Sequence, residues 1–286
     1  MEIKSLPVGT GTRLQASGSR PKRVRTINKT SSVIPATLIS LVILTIYGFY
    51  SFDYKDINFA NAALSTVENV KTMFLEPKFS HFTFGKAVYQ VAVTLGLGFL
   101  TTLFGAVIAL FFGLLAAQNL TNKKVSTAIK GVVTFIRSVP TVLWVLIFAV
   151  AAGLGSEAAV IGMTFHSVGY LIKAYSEAFE EMDEGIIEAL RASGANWWQI
   201  VFQAVIPSTI TYLISWTFLR FEINFAVAVA MGAAAGAGGI GFDMFMASGF
   251  YYAIREVGVI TYFILIVAIV LELAATRIKQ NLKTRG

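Results

Sequence analysis

Long apolar runs alternate with short polar stretches along this chain. Six runs are long enough for a membrane-crossing helix, which needs about 20 apolar residues. They cover residues 33–52, 88–117, 132–152, 158–175, 208–231 and 257–276. The pattern therefore predicts an all-α, polytopic membrane protein with six transmembrane helices.

A basic segment directly precedes the first apolar run. Seven Lys and Arg residues lie before Val33, against the single acid Glu2. The run is too long for the apolar region of a signal peptide, so we expect a retained first helix. A basic segment can bind nucleic acid, but one followed at once by a span is typical of a cytoplasmic anchor. We predict contact with membrane lipid and no nucleic-acid partner.

The basic residues also predict the orientation of the spans. Segments 1–32, 118–137, 173–207 and 277–286 hold 17 of the 23 Lys and Arg residues, and the opposite face holds five. Cytoplasmic loops carry such an excess, so both termini are predicted to be cytoplasmic. The predicted organisation is a basic tail (1–32), a transmembrane domain (33–277) with a cytoplasmic loop at 176–207, and a C-terminal tail (278–286).

Composition narrows the chemistry that the chain can perform. Hydrophobic residues make up 56% of the chain and charged residues only 14%, against about 25% charged residues in soluble domains. Cysteine is absent and only His81 and His166 are present, so no metal site and no cofactor are expected. The one Gly-Lys pair, Gly85-Lys86, lacks the first glycine of a P-loop. Energy for any active transport must come from a partner.

The cytoplasmic loop at 176–207 reads as two short helices. Gly194 stands where a helix ends on a left-handed residue. Asn196 and Gln199 have the spacing of a capping box, and Pro207 suits the first turn of the next span. An amphipathic loop that lies on lipid, with Trp197 and Trp198 at the interface, remains one interpretation.

The same loop resembles the "EAA…G" signature of bacterial ABC importer permeases. The resemblance rests on Glu188-Ala189-Leu190, on Gly194-Ala195 beginning six residues after the glutamate, and on Ile206-Pro207, which closes the signature at nineteen. Leu190 replaces the usual alanine. The resemblance implies that Glu188, Ala189, Leu190, Gly194, Ala195, Ile206 and Pro207 form a coupling helix that sits in a groove of a cytoplasmic ATPase subunit.

Three more stretches narrow this resemblance to importers of the phosphonate type. "RSVPTVLW" (137–144) is similar to methionine and phosphonate importers, whereas 166–185 and 212–241 resemble phosphonate permeases more closely. The likeness covers about residues 90–277. It implies a type I ABC importer permease fold like that of methionine permeases, in a bacterial inner membrane. The implied partners are two ATP-binding subunits, an external solute-binding protein, and a second copy or a homologous permease; the implied cargo is a phosphonate-type oxyanion.

Glycines cluster at the outer end of the fifth run. Gly236, Gly238 and Gly241 match G-x-G-x-x-G, but a dinucleotide site needs a soluble α/β unit, and here the flanks are predicted spans. Together with Gly239, these glycines are expected to break the helix or to pack it closely against a neighbour. In the family that it resembles, this segment lies near the gate.

Two ionisable residues lie about half-way along the fifth run. Arg220 and Glu222 are costly at that depth unless paired or hydrated, and residues two apart on a helix do not face each other. In one interpretation Arg220 pairs with Glu272 and only holds the bundle together. In the other, Arg220, Glu222 and Asn224 border a polar pathway, because arginine suits a phosphorus oxyanion. His166 is either a pathway residue or a helix–helix hydrogen-bond donor.

Other functions stay open at this stage. A permease for methionine or another small solute shares the coupling signature. A channel or secondary transporter would work without an ATPase and would show an internal inverted repeat, of which we see no clear trace. An intramembrane enzyme would need a nucleophile–base or metal constellation that these spans scarcely supply.

Overall fold

The computed structural model describes residues 29–52 and 58–283, and every regular element in those ranges is helical. The predicted all-α class is therefore confirmed. The described residues up to Phe59 form one compact unit. Its helix α1 (Lys29–Ser51) contains the first predicted span, and none of that span is buried. Most of the predicted basic tail, residues 1–28, lies outside the described residues.

The described residues from Ala60 onward form the second compact unit, which contains the other helices apart from the first residue of α2. A short π-helical segment, Val201–Val205, joins α8 to α9. The helices are α2 (Phe59–Leu75), α3 (Phe84–Ala116), α4 (Lys123–Ser138), α5 (Thr141–Ala152), α6 (Ser156–Glu180), α7 (Glu184–Ala192), α8 (Trp197–Ile200), α9 (Ile206–Ala235), α10 (Gly239–Gly249) and α11 (Ile254–Lys283).

All six predicted apolar runs lie in helices, but they do not form six simple spans. Among the described residues, four segments are long and apolar enough to cross a membrane: Val33–Ser51, Phe84–Ala116, Trp197–Ala235 and Ile254–Ile278. A bent helix pair, α4 with α5, makes a fifth if it is counted as one span. The fourth predicted run lies in α6, which is 25 residues long. This helix carries a larger share of polar residues than the four segments above.

The third predicted span is the clearest departure from the sequence prediction. Residues 132–152 are not one helix, because α4 and α5 meet at an angle of 91°. Pro140 has no N–H to continue a helix and restricts the residue before it to extended backbone. Val139 is accordingly extended, with φ −93° and ψ 125°. The bend turns α4 sharply away from the axis of α5.

Two helices were not predicted. Helix α2 lies in the mixed polar and apolar stretch before the second span; its end is fixed to α11, where Tyr262 donates to the Phe74 carbonyl (2.6 Å) and Arg255 pairs with Glu76 (2.6 Å). Helix α10 follows the glycine cluster. Neither segment has the length or the uniform hydropathy that marks a span, so the sequence pattern alone does not reveal them.

Helix α6 lies at the centre of the second unit, where it packs against α3, α4, α5 and α9. Glycines make these contacts close. A side chain at Gly162 would collide with the Val145 backbone of α5, and one at Gly105 would press on Ser167. Small residues are what membrane helices use to approach one another. The polar residues of α6 are consequently held against neighbouring helices, and this packing positions the candidate functional site.

Candidate functional site

Residues 183–207 form a rigid bend that we call the elbow. Asp183 caps α7 by accepting from the Gly185 N–H (2.8 Å). The helix ends at Gly194, whose φ of +82° lies in the left-handed region that glycine adopts cheaply. The Ala195 N–H then bonds back to the Leu190 carbonyl (3.0 Å). The helix end predicted at Gly194 is present in the structure.

The second half of the elbow starts with a capping box. The Asn196 side chain accepts from the Gln199 N–H (2.9 Å), and the Gln199 side chain accepts from the Asn196 N–H (2.8 Å). The π-helical turn that follows was not predicted. Pro207 lacks an N–H and its ring crowds the carbonyl four residues earlier, so the backbone widens just before it. The second half of the elbow and α9 thus form one continuous helical segment from Trp197 to Ala235.

One side of the elbow is fixed to the transmembrane core. Ile187, Ile200 and Val205 are buried in the same apolar cluster as Leu120 and Phe179. The Trp197 indole donates to the Leu120 carbonyl (3.0 Å), and Arg191 donates to the Asn119 carbonyl (2.8 Å). A force applied to the elbow would therefore reach the helices without passing through a flexible joint.

The other side of the elbow faces outward. Of the predicted coupling residues, Leu190, Ala195 and Ile206 pack against the core cluster. Glu188, Ala189, Gly194 and Pro207 are exposed. The predicted set therefore divides into an inner group that holds the elbow and an outer group that is free to contact another molecule.

A buried group of polar side chains, the polar cluster, joins α3, α6 and α9. Its members are Thr102, Ser167, Tyr170, Arg220 and Asn224. Arg220 Nε donates to Ser167 Oγ (3.0 Å), and its guanidinium carbon lies 4.9 Å from the centre of the Tyr170 ring. Asn224 donates to Thr102 (2.9 Å) and to Ser167 (3.0 Å). Arg220 is 3% exposed and Asn224 fully buried.

Arg220 has no acidic partner among the described residues. The alternative in which it pairs with Glu272 is therefore wrong. Glu272 instead interacts with Glu222. Residues two apart point in different directions on a helix, so Arg220 faces α6 while Glu222 faces α11. The predicted pathway residues Arg220 and Asn224 are brought together, and Glu222 is separated from them.

Glu222 and Glu272 line a cavity of about 700 Å³ between α6, α9 and α11. Glu177 and Glu181 also line it, together with the hydroxyl-bearing residues Ser208, Thr211, Tyr212, Ser215 and Thr276. The sequence did not indicate this cavity, because its walls come from helices far apart along the chain.

His166 lies one residue from the polar cluster on α6. Its Nδ1 is buried and has no hydrogen-bond partner among the described residues. The Val139 carbonyl, at the bend between α4 and α5, lies near the ring. His166 thus keeps one ring nitrogen unused beside this bend.

The glycine cluster ends α9 and allows α10 to fold back onto it. Gly236 and Gly238 have φ values of +62° and +76°, which other residues rarely adopt. A side chain at Gly241 would overlap the Val229 carbonyl of α9, and one at Gly239 would overlap the Thr94 hydroxyl of α3. Thr94 accepts the Ile240 N–H (2.9 Å). These glycines hold α3, α9 and α10 in direct contact.

Two further features were not predicted from the sequence. Arg137, at the end of α4, lies 5.9 Å from the centre of the Tyr170 ring. Lys86 pairs with the nearly buried Asp243 (3.4 Å). In each case a charged residue beside a predicted span could have indicated a buried interaction. Only the tertiary structure identifies the residue with which that charge interacts. No group of three or more His, Cys, Asp or Glu side chains in the described ranges could hold a metal ion.

Comparison with known proteins shows which family this chain is related to. The family model described as "Binding-protein-dependent transport system inner membrane component" matches residues 109–285. The chain is 31% identical over 155 residues to the phosphate-import permease protein PhnE of Mycolicibacterium smegmatis, a match over 54% of this chain and 29% of the relative. It is 34% identical over 152 residues to the phosphite transport system permease protein PtxC of Stutzerimonas stutzeri, over 53% and 55% respectively. The matches therefore span about half the length of these relatives, or less.

Solved structures agree with this relationship. The permease chain of the inward-facing MetNI methionine ABC transporter superposes with a TM-score of 0.65 at 25% identity, over 71% of this chain and 99% of that one. The region matched by the family model contains the elbow, the glycine cluster and every member of the polar cluster except Thr102. This chain belongs to the family of inner-membrane components of binding-protein-dependent transport systems.

Proposed function

We propose that this chain is the membrane-spanning permease subunit of an ATP-driven importer that moves a small phosphorus oxyanion into the cell by alternating access. The observation that carries the proposal is Arg220, a buried guanidinium with no acidic partner among the described residues. An ionisable group inside a span is costly and is a functional candidate for that reason. The names of the phosphate-import and phosphite relatives support the same class of solute.

The polar cluster is better suited to bind an anion than to bind a neutral solute. Arg220 presents a fork of donors that matches phosphoryl oxygens. Ser167 accepts from Arg220 Nε and from the Asn224 amide, so these two residues hold the guanidinium in place. His166 borders the same place. In this proposal Arg220, Asn224 and His166 line the route, whereas Glu222 lies on a separate wall, where its charge does not oppose the anion.

The geometry of the elbow supports coupling of the helices to a separate ATPase. Its exposed residues, Glu188 and Ala189 among them, would sit in a groove of a cytoplasmic ATPase, and its buried residues would pass the motion to α3, α6 and α9. Two such subunits would drive a pair of permeases, and an external binding protein would deliver the solute near the glycine cluster at 236–241. Both termini and the elbow would be cytoplasmic, with residues 33–277 as the transmembrane domain between two tails.

Reconstitution tests this proposal. The permease would be placed in proteoliposomes with its ATPase and binding protein, and uptake of phosphate, phosphite and methylphosphonate would be measured beside uptake of methionine. We expect ATP-dependent uptake of a phosphorus oxyanion that falls at least about tenfold in Arg220→Gln, since a hydrogen bond to a charged group is lost. Uptake that continues with a hydrolysis-deficient ATPase would instead indicate a channel or secondary transporter.

A second candidate is a permease for methionine or a similar amino acid. It is favoured by the structural likeness to the methionine transporter and by the cavity at Glu222 and Glu272, whose carboxylates suit an ammonium group. Methionine uptake without oxyanion uptake in the same proteoliposomes would establish this candidate and overturn the first.

A further inference from the structure

Two arginines from different helices meet at one aromatic ring. The guanidinium carbon of Arg220, on α9, lies 4.9 Å from the centre of the Tyr170 ring. That of Arg137, on α4, lies 5.9 Å from the same centre. Both distances are within the range of a cation–π interaction. Tyr170 therefore gathers two positive charges from elements that are more than eighty residues apart in sequence.

No carboxylate balances these two charges. Neither arginine forms an ion pair with any acidic residue in ranges 29–52 and 58–283. The guanidiniums are near enough for their charges to repel each other. Like charges held close together, one of them buried, are unfavourable unless an opposite charge joins them. The arrangement lacks an anion of its own and is suited to receive one.

The position of Arg137 is built into the packing of the helices. Gly169 of α6 has no side chain, and a Cβ there would collide with Ile136 and touch Cγ of Arg137 at 3.4 Å. The bend after Arg137 is fixed by the Trp144 indole, which donates to the Ile136 carbonyl (2.9 Å). The end of α4 is thus held against α6 at Gly169, the residue directly before Tyr170.

The two arginines differ in access. Arg220 is 3% exposed, whereas Arg137 is exposed. One guanidinium is therefore fixed in the protein interior by Ser167, and the other can meet a solute that arrives from outside the cluster. The unused Nδ1 of His166 is a further buried polar atom without a partner in the described part of the chain.

We propose that Arg137 and Arg220, gathered at the Tyr170 ring, form a two-arginine binding site for a tetrahedral phosphorus oxyanion. Arg220 is the fixed arm and Arg137 the accessible arm that determines specificity for a doubly charged solute. The solute class rests on the proposed function, but the role of Arg137 is separate from it. Arginine is preferred to lysine here because its fork can bind two oxygens of the anion and still stack on the ring.

The test compares variants in proteoliposomes that contain the permease, its ATPase and its binding protein. Arg137→Gln is expected to lower phosphite or methylphosphonate uptake at least about tenfold, with Arg137→Lys intermediate. Tyr170→Leu removes the ring at which both guanidiniums lie and should also be impaired. Lys124→Gln, an exposed cation on the same helix, is the matched control and should leave uptake unchanged.

ATP hydrolysis stimulated by the binding protein separates a binding role from a structural one. It should stay within about twofold of the wild type in Arg137→Gln, because the elbow is untouched. If that variant does not assemble, Arg137→Lys and Tyr170→Leu carry the test. If Arg137→Gln takes up the oxyanion as fast as the wild type does, the inference is overturned and the proposed function stands. Absence of oxyanion uptake in the wild type overturns both.

Discussion

His81 and Glu256 are joined by a contact of 2.8 Å between Nδ1 of the imidazole and Oε2 of the carboxylate. The second carboxylate oxygen accepts the backbone N–H groups of Ser80 (2.9 Å), His81 (2.6 Å) and Phe82 (3.3 Å). Glu256 is fully buried, and the His81 ring stacks on Tyr251 with centroids 4.0 Å apart. One side chain at the start of α11 thus holds the turn that leads into α3.

Glu256→Ala should therefore destabilise the protein strongly. Three backbone donors lose their acceptor at once, and a buried donor left unsatisfied, as at Phe82, costs about 1–3 kcal/mol. We expect a drop in the thermal unfolding midpoint of the detergent-purified permease. Glu256→Gln retains one oxygen acceptor and should lose less; an equal loss in both variants would mean that the backbone contacts contribute little.

A second prediction concerns Lys86 and Asp243, which connect α3 to α10. Asp243 is only 6% exposed and one of its oxygens has no hydrogen-bond partner among the described residues. Lys86→Gln leaves a buried charge without its partner and should destabilise the protein by about 3 kcal/mol. The double variant Lys86→Gln/Asp243→Asn removes both charges and should recover part of the loss. The measurement is a double-mutant cycle on thermal stability; additive losses would contradict a direct pairing.

The glycine cluster gives a third prediction. Gly241→Ala should prevent correct packing of α10 on α9, since the new Cβ would overlap the Val229 carbonyl. Gly131→Ala is the control, because Gly131 lies in α4 with open space around it and alanine favours a helix by about 1 kcal/mol. Size-exclusion profiles of the two purified variants test this: we expect loss of the folded peak only in Gly241→Ala.

The elbow offers a matched pair for a fourth prediction. Ile187 is 2% exposed and its neighbour Ile186 is 44% exposed on the same helix. Ile187→Ala should lower stability by about 2–4 kcal/mol, as expected for a core truncation. Ile186→Ala should leave stability unchanged and weaken co-purification of the ATPase subunit. The reverse pattern would show that the exposed face of α7 does not contact the partner.

Several local features of this protein follow from the sequence alone. The helix end at Gly194 and the capping box of Asn196 and Gln199 depend on contacts within a few residues, so their spacing predicts them. The apolar runs predict α1, α3, α9 and α11, because a membrane-crossing helix satisfies its own backbone and needs only length and hydropathy. The coupling segment is recognisable for the same local reason.

Only the tertiary structure decided the partners of the buried polar groups. The sequence placed Arg220 and Glu222 in one span and left a pairing with Glu272 open, whereas packing directs Arg220 to Ser167 and Tyr170. The bend at Pro140 makes residues 132–152 two helices and brings Arg137 to the same ring. These contacts join α4, α6 and α9, whose relative positions depend on close approach at glycines such as Gly169. Hydropathy determines where the long apolar helices lie, but side-chain packing between distant segments determines which charges meet.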